Sequence, residues 1–485
     1  MPDQNAAAAT PPGASIPKTP TRIRGLDDIL AGGLPVGRIT LFSGGPGAGK
    51  TGLSVEFLYR CAASGEPGVL VSFEERAEGL HANAAAMGMD TRDLEAAGRF
   101  KIVHAAIPRH AVASGDFDIQ GLLAVLDGHA RSIEATCIVI DAIDALMRVF
   151  GDPEREREEL HALLDWFRTR GLTAVLTAKS DPSGRQIYPF LDYMADCVLY
   201  LDQRFEGQVR TRRLQVIKYR GSGFLPNEHP YIIGRGGFVF MPVSSTSLTN
   251  KALGEPISSG NESLDAILGG GYLRGACVLL SGASGTGKTT LACTFVRRAC
   301  RNDERVLFIG LEQSEEALVA EMRSVGLDLT AHLKAGRLTI LTAMPESAGV
   351  EFHLARFLDA LADIRPRHLV VDAVSACRRM GSDKAAFEFL VRLLTACKDR
   401  GVTCFCTNQV ADHLCPTEVG GIEIASLMDA LIALKYAAGE REIRRRLLVI
   451  KSRGAAHSMR HHEMIISDAG VSLKRDEAPP EGRRS

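Results

Sequence analysis

Two stretches of this chain share one pattern: a glycine, four further residues, then Gly-Lys-Thr. They are Gly44-Gly45-Pro46-Gly47-Ala48-Gly49-Lys50-Thr51 and Gly282-Ala283-Ser284-Gly285-Thr286-Gly287-Lys288-Thr289. Glycines at this spacing let backbone N–H groups curl around phosphate oxygens at the start of a helix. The lysine reaches the outer phosphates, and the threonine hydroxyl can sit on a magnesium ion. Each copy follows an apolar run (residues 39–42 and 277–280) and precedes a helical pattern, which is the setting such a loop requires. These residues point to ATP with Mg²⁺.

Further along each half, Asp141 and Asp372 end apolar runs, where a carboxylate can hold the magnesium and its waters. Hydrolysis also needs a group to orient and deprotonate water. Glu74 and Glu75 are read as ending a strand beside the phosphate-loop strand, at the carboxyl edge of a sheet. The matching pair in the second half is Glu312-Gln313. A glutamine hydrogen-bonds water but does not take its proton at neutral pH, so the halves are chemically unequal here. Late in each half come Lys218-Tyr219-Arg220-Gly221 and Lys451-Ser452-Arg453-Gly454. Residues two apart on a strand share a face, so each Lys and Arg would meet one anion, in the manner of an arginine finger reaching a neighbour's γ-phosphate.

The elements that must position these groups are duplicated. Residues 25–51 align with residues 263–289 without a gap, at an offset of 238, with 14 of 27 positions identical. Downstream, TCIVID at 136–141 matches PRHLVVD at 366–372, and QVIKYRG at 215–221 matches LVIKSRG at 448–454. Short β-branched runs alternate with helical stretches such as 155–168, which predicts two α/β domains, each a mostly parallel, doubly wound sheet with helices on both faces. The boundaries expected are a disordered Ala/Pro-rich arm at 1–20, a first domain at 21–241, a Ser/Thr/Pro-rich linker at 242–256, a second domain at 257–474 and a charged tail at 475–485.

Composition narrows the partners. Among 485 residues, 57 basic side chains face 58 acidic ones, so a dedicated nucleic-acid binder is disfavoured. No apolar run reaches the ~18 residues of a membrane span, and the N-terminus has neither the basic start nor the apolar core of a signal peptide. The 11 cysteines form no C-x-x-C pair, and reduced cytoplasmic thiols are the reading taken. Cys404 and Cys406 flank Phe405 in an apparent buried strand, without the second ligand pair that a zinc site needs. The PEREREEL run at 153–160 reads as a solvated helix start, and Arg210 to Arg213 with Arg444 to Arg446 as hairpin charges.

With two phosphate-loop halves, Glu74-Glu75 and a late Lys-x-Arg-Gly in each, the chain resembles the KaiC family, circadian-clock ATPases of the RecA superfamily, from about Ile23 to Gly470. The resemblance implies a double-ring homohexamer with ATP at subunit interfaces, slow hydrolysis in the first half, and autokinase and autophosphatase activity in the second. It assigns Lys50, Thr51, catalytic Glu74 and Glu75, and Asp141 to the first site, with Lys218 and Arg220 from a neighbour. The second site takes Lys288, Thr289, Glu312 and Asp372, with Lys451 and Arg453 across the interface. Counting back from Asp429, the family's adjacent phosphoacceptors fall on Ala425 and Ser426, so one hydroxyl is lost and Ser426 is the expected phosphorylation site. Gln313, Ala425 and the short stretch after Gly470, read as lacking the family's C-terminal loop and tail, argue against a full two-site clock. The implied partners are ATP and signalling proteins of the KaiB or histidine-kinase type. Two other readings stand beside this one: a RecA- or RadA-like DNA-dependent ATPase, on the strength of Thr407-Asn408-Gln409-Val410, and an ATP-clamped scaffold without turnover.

Overall fold

The computed structural model describes residues 16–105, 119–150, 152–181, 186–206, 209–243, 252–410, 424–438 and 442–475. Most of the expected arm, the middle of the expected linker and most of the tail lie outside the described residues. The chain divides into two compact units, one of residues 1–205 and 210–245 and the other of residues 206–209 and 246–485.

In the first unit, nine strands form one sheet: β1 (Ile39–Gly44), β2 (Gly68–Ser72), β3 (Phe100–His104), β4 (Cys137–Asp141), β5 (Thr173–Lys179), β6 (Cys197–Glu206), β7 (Val209–Tyr219), β8 (His229–Gly234) and β9 (Gly237–Phe240). Their order is β9-β8-β7-β6-β1-β5-β4-β2-β3. The stretch from β6 to β3 is parallel, and β7, β8 and β9 extend it as antiparallel neighbours. The second unit repeats the plan with β10 (Cys277–Gly282), β11 (Val306–Gly310), β12 (Leu338–Thr342), β13 (His368–Asp372), β14 (Thr403–Gln409), β15 (Ala430–Ala438), β16 (Ile443–Ser452), β17 (His462–Ser467) and β18 (Gly470–Arg475). Its order, β18-β17-β16-β15-β10-β14-β13-β11-β12, is the same place by place. The mostly parallel, doubly wound α/β fold read from the sequence is the fold found.

The strands are apolar almost throughout because helices cover both sheet faces. Successive residues of β1 alternate between two cores. Phe42 packs with Phe57 of the Lys50–Ala63 helix, whereas Ile39 and Leu41 join Leu164 and Phe167 of the Pro153–Arg170 helix. That second helix starts where its sequence dictates. The Asp152 carboxylate accepts from the Arg155 N–H at 3.1 Å, Pro153 fills the first turn, and Gly171 closes the end at φ 66°.

One expectation is corrected. The strand preceding Glu74 and Glu75 does not neighbour the phosphate-loop strand, because β5 and β4 lie between β1 and β2. It also ends at Ser72, two residues short of Glu74. Strands consecutive in sequence are adjacent only about two-thirds of the time. Here β5 takes the place beside β1, in full register from Ile39 opposite Ala174 to Gly44 opposite Lys179. Both acidic residues still emerge at the carboxyl edge, and side chains from β5 bridge the gap.

Candidate active site

Each phosphate loop leads from a buried strand into a 14-residue helix, Lys50–Ala63 or Lys288–Arg301. No side chain caps either helix start, so the first N–H groups remain available to an anion. The residue before each helix must be glycine. Gly49 stands at φ 97° and a Cβ there would come within 2.8 Å of Ile233 and 2.9 Å of Phe238; Gly287, at φ 98°, would meet Ile466 at 2.5 Å. The antiparallel extension of each sheet therefore presses against its own loop.

Lys50 directs its ammonium onto the loop, donating to the Gly44 and Gly45 carbonyls at 2.6 and 2.9 Å. Lys288 does the same with Gly282 and Ala283 at 2.9 and 2.8 Å. Burial lowers the pKa of both lysines, and nearby carboxylates, chiefly Asp144 for Lys50 and Asp372 for Lys288, oppose the shift. Gly47, Gly285 and Thr286 complete the loops, with the Thr286 hydroxyl donating to Ala283 at 2.8 Å.

The Thr51 hydroxyl lies 3.0 and 3.2 Å from the two carboxylate oxygens of buried Asp141, and Thr289 lies 2.9 Å from Asp372. A second threonine, absent from the sequence reading, also holds each aspartate: Thr177 donates to Asp141 at 2.5 Å, and Thr407 donates to Asp372. Burial raises the Asp141 pKa, while the hydroxyls of Thr177 and Thr51 pull it back. The signal for these threonines was a Thr two residues before the strand end in both β5 and β14. Within Thr407-Asn408-Gln409, the recombinase-like motif, Thr407 is thus spent on Asp372. Asn408 is buried with its amide 3.5 Å from the Ser281 hydroxyl.

Glu74 and Glu75 occupy different surroundings. Glu74 is exposed and ion-paired with Lys179 at 2.6 Å and with Arg148 at 3.4 Å. Glu75 is half-buried, accepts from the Asn83 amide at 3.2 Å, and has its pKa raised by burial and by the negative charges of Asp141 and Glu74. A carboxylate shifted toward neutrality is the better placed to take a proton from water. In the second half Glu312 is exposed, 3.9 Å from Arg379, at the edge of a cleft of about 350 Å³ that Gln313, Thr342 and Met344 also line.

The late basic pairs lie at the opposite, amino edge of each sheet. Lys218 donates to the Asp192 carbonyl at 2.6 Å, and Arg220 to the Tyr193 carbonyl at 2.7 Å. The Arg220 backbone N–H bonds Asp196, whose own N–H bonds Ile39 at the start of β1. Gly44 is five residues further on, which places the pair ~17 Å from its own loop at strand rise. The second half repeats this arrangement. Lys451 donates to the Ala425 and Met428 carbonyls at 3.2 and 2.7 Å, and Arg453 to the Ser426 carbonyl at 3.4 Å. Ser426 is exposed, in the short turn just before β15. Each Lys and Arg do converge, as the two-residue spacing requires, and in the second half they converge beside Ser426.

Other features stay structural. Cys404 and Cys406 point the same way with sulfurs 3.9 Å apart in the core, and His462 bonds the Ser458 hydroxyl at 2.9 Å. No helix of the described residues is long and apolar enough to cross a membrane.

A family model described as "ATPase: KaiC" matches residues 19–245 and again 257–478. The circadian clock protein KaiC2 of Synechocystis sp. strain PCC 6803 is 36% identical over 466 residues, covering 95% of this chain and 82% of the relative. The circadian clock oscillator protein KaiC of Parathermosynechococcus lividus is 32% identical over 463 residues, 95% of this chain and 86% of that protein. KaiC3 of the same Synechocystis strain is 31% identical over 464 residues, 94% and 92%.

Proposed function

The chain belongs to the KaiC family of ATPases, and from that premise we propose that it is a ring-forming, ATP-driven signalling or timing protein whose halves divide the chemistry. The first half hydrolyses ATP slowly, and the second transfers phosphate to the Ser426 of a neighbouring copy. ATP binds at Lys50 and at Lys288. The donors beside them, a hydroxyl and a buried carboxylate in each half, are all oxygen and fit a hard divalent cation. Thr51 with Asp141, and Thr289 with Asp372, would hold magnesium, which when bound neutralises charge on the outer phosphates.

The observation that carries this reading is the placement of the basic pairs. Lys218 and Arg220 lie at the sheet edge away from their own loop, so they serve a phosphate held by another copy. The same holds for Lys451 and Arg453. A ring of like copies, the expected homohexamer, supplies that neighbour at every interface. In the first half Glu74 and Glu75 orient and deprotonate the attacking water. In the second, Ser426, whose carbonyl accepts from Arg453, sits beside the pair that reaches the neighbour's γ-phosphate, so phosphoryl transfer competes with hydrolysis. Glu312 of the copy that holds that phosphate, with Gln313 beside it, is left as the base for the hydroxyl. Signalling proteins of the KaiB or histidine-kinase type would read the resulting state, in the cytoplasm and in a daily rhythm or another timing circuit.

Incubation with γ-labelled ATP followed by phosphosite mapping tests the division. Label on Ser426 that disappears in Ser426→Ala, alongside continued ADP release, is expected. A wild-type chain that releases ADP with no label on Ser426 removes the kinase assignment.

A further inference from the structure

Lys179 does not belong to either sequence motif, yet it occupies the most telling place in the first site. It ends β5, directly opposite Gly44 of the phosphate loop. Its backbone N–H is pinned by both carboxylate oxygens of buried Asp144, at 3.0 and 3.2 Å. A fixed backbone leaves only the side chain free to choose a partner. Its ammonium lies 2.6 Å from Glu74, on two side chains that are each about two-fifths exposed.

Among the described residues, the second half keeps the counterpart of the Arg148 contact, Arg379 on Glu312, but not that of Lys179. The residue opposite Gly282 is Gln409, and its backbone N–H is held at 3.2 Å by the Ser375 hydroxyl in place of an aspartate. Glu312 has Arg379 at 3.9 Å as its ion-pair partner, on the segment that follows β13. The same backbone frame therefore carries a cation in the half that keeps both glutamates and a neutral amide in the half that has lost one.

We propose that Lys179 is the residue by which the first site distinguishes ATP from ADP, holding Glu74 until a γ-phosphate takes over its ammonium. This rests on the first half being the hydrolytic one. An ammonium on a flexible stem is a compact point charge with three donors, suited to passing from a carboxylate to a phosphate oxygen within its arc. Lys50 supplies the other cation at the loop: it donates to the carbonyl of Gly44, the residue that Lys179 stands opposite in the sheet. The phosphate that ADP lacks is the group with enough added charge to draw Lys179 from Glu74. Once Lys179 leaves, Glu74 keeps the longer Arg148 contact at 3.4 Å and can accept a hydrogen bond from water. With ADP bound, the ion pair persists and Glu74 stays occupied. Lys179 is a positioning residue for Glu74 and a ligand of the terminal phosphate.

The test is the pair of steady-state constants in the full-length chain, the KM for ATP and the inhibition constant for ADP. Lys179→Gln, which copies the second half, should raise the KM for ATP about tenfold, the scale of one lost charged hydrogen bond. Inhibition by ADP should stay within about twofold of wild type, and Lys179→Arg should recover most of the ATP effect. A Lys179→Gln chain with the wild-type ratio of the two constants overturns the proposal. So does one in which both constants weaken together, since that marks a general defect of the loop. Failure of the underlying assignment looks different: Glu74→Gln with Glu75→Gln would then leave ADP production intact, whatever Lys179→Gln does.

Discussion

Removing the guanidinium of Arg220 should silence a phosphate site on another copy and leave its own loop intact. The geometry supplies the magnitude. Arg220 is tied through Asp196 to Ile39, five residues and ~17 Å of strand before Gly44, well beyond the ~7 Å reach of an arginine side chain. Arg220→Ala alone should lower first-site turnover by about 10³-fold or more, the range set by arginine fingers. Lys50→Ala alone should also be inactive at that site, because its loop has lost its phosphate lysine. Mixed in equal amounts and reassembled, the two inactive chains should recover activity. An interface works when an Arg220→Ala chain supplies the loop and a Lys50→Ala chain supplies the arginine. In a closed ring with random order this holds at about a quarter of interfaces. ADP production near a quarter of the wild-type first-site rate is the expected outcome. A mixture as inactive as its components would mean that Arg220 and Lys50 act within one chain.

Two other outcomes follow from single contacts. Thr177→Val removes the hydroxyl that holds Asp141, so the magnesium needed for half-maximal ADP production should rise about tenfold, read by titrating magnesium at saturating ATP. In the second unit, the hydrogen bond from His368, with help from Arg274, holds Glu304 down to about 2 from its ordinary 4.5. A depressed carboxylate pKa contributes stability above 4.5 and loses it as pH falls toward 2. Glu304→Gln should therefore cost the second unit about 1–2 kcal/mol in urea unfolding at pH 7 and markedly less near pH 3.

What could be read in advance was what lies contiguous in the chain. The loops, the aspartates ending β4 and β13, and the duplication itself are local patterns whose spacing carries their meaning. Strand order was not local. The expected adjacency of the Glu74 strand and the loop strand failed because β4 and β5, formed far downstream, insert between them. The contacts that set the character of each carboxylate were hidden for the same reason. Thr177 on Asp141 and Lys179 on Glu74 join residues separated by 36 and 105 positions. Comparing the two copies at matched sheet positions, where Lys179 answers to Gln409 and Asp144 to Ser375, exposes them.

One comparison decides whether the two phosphate loops are unequal engines. Steady-state ADP production should be measured for the full-length chain carrying Glu74→Gln with Glu75→Gln, and separately for Glu312→Gln. The first should lose most turnover, about 10²-fold or more for a missing general base, while the second keeps nearly all of it. Equal losses from the two, or a larger loss from Glu312→Gln, would contradict this.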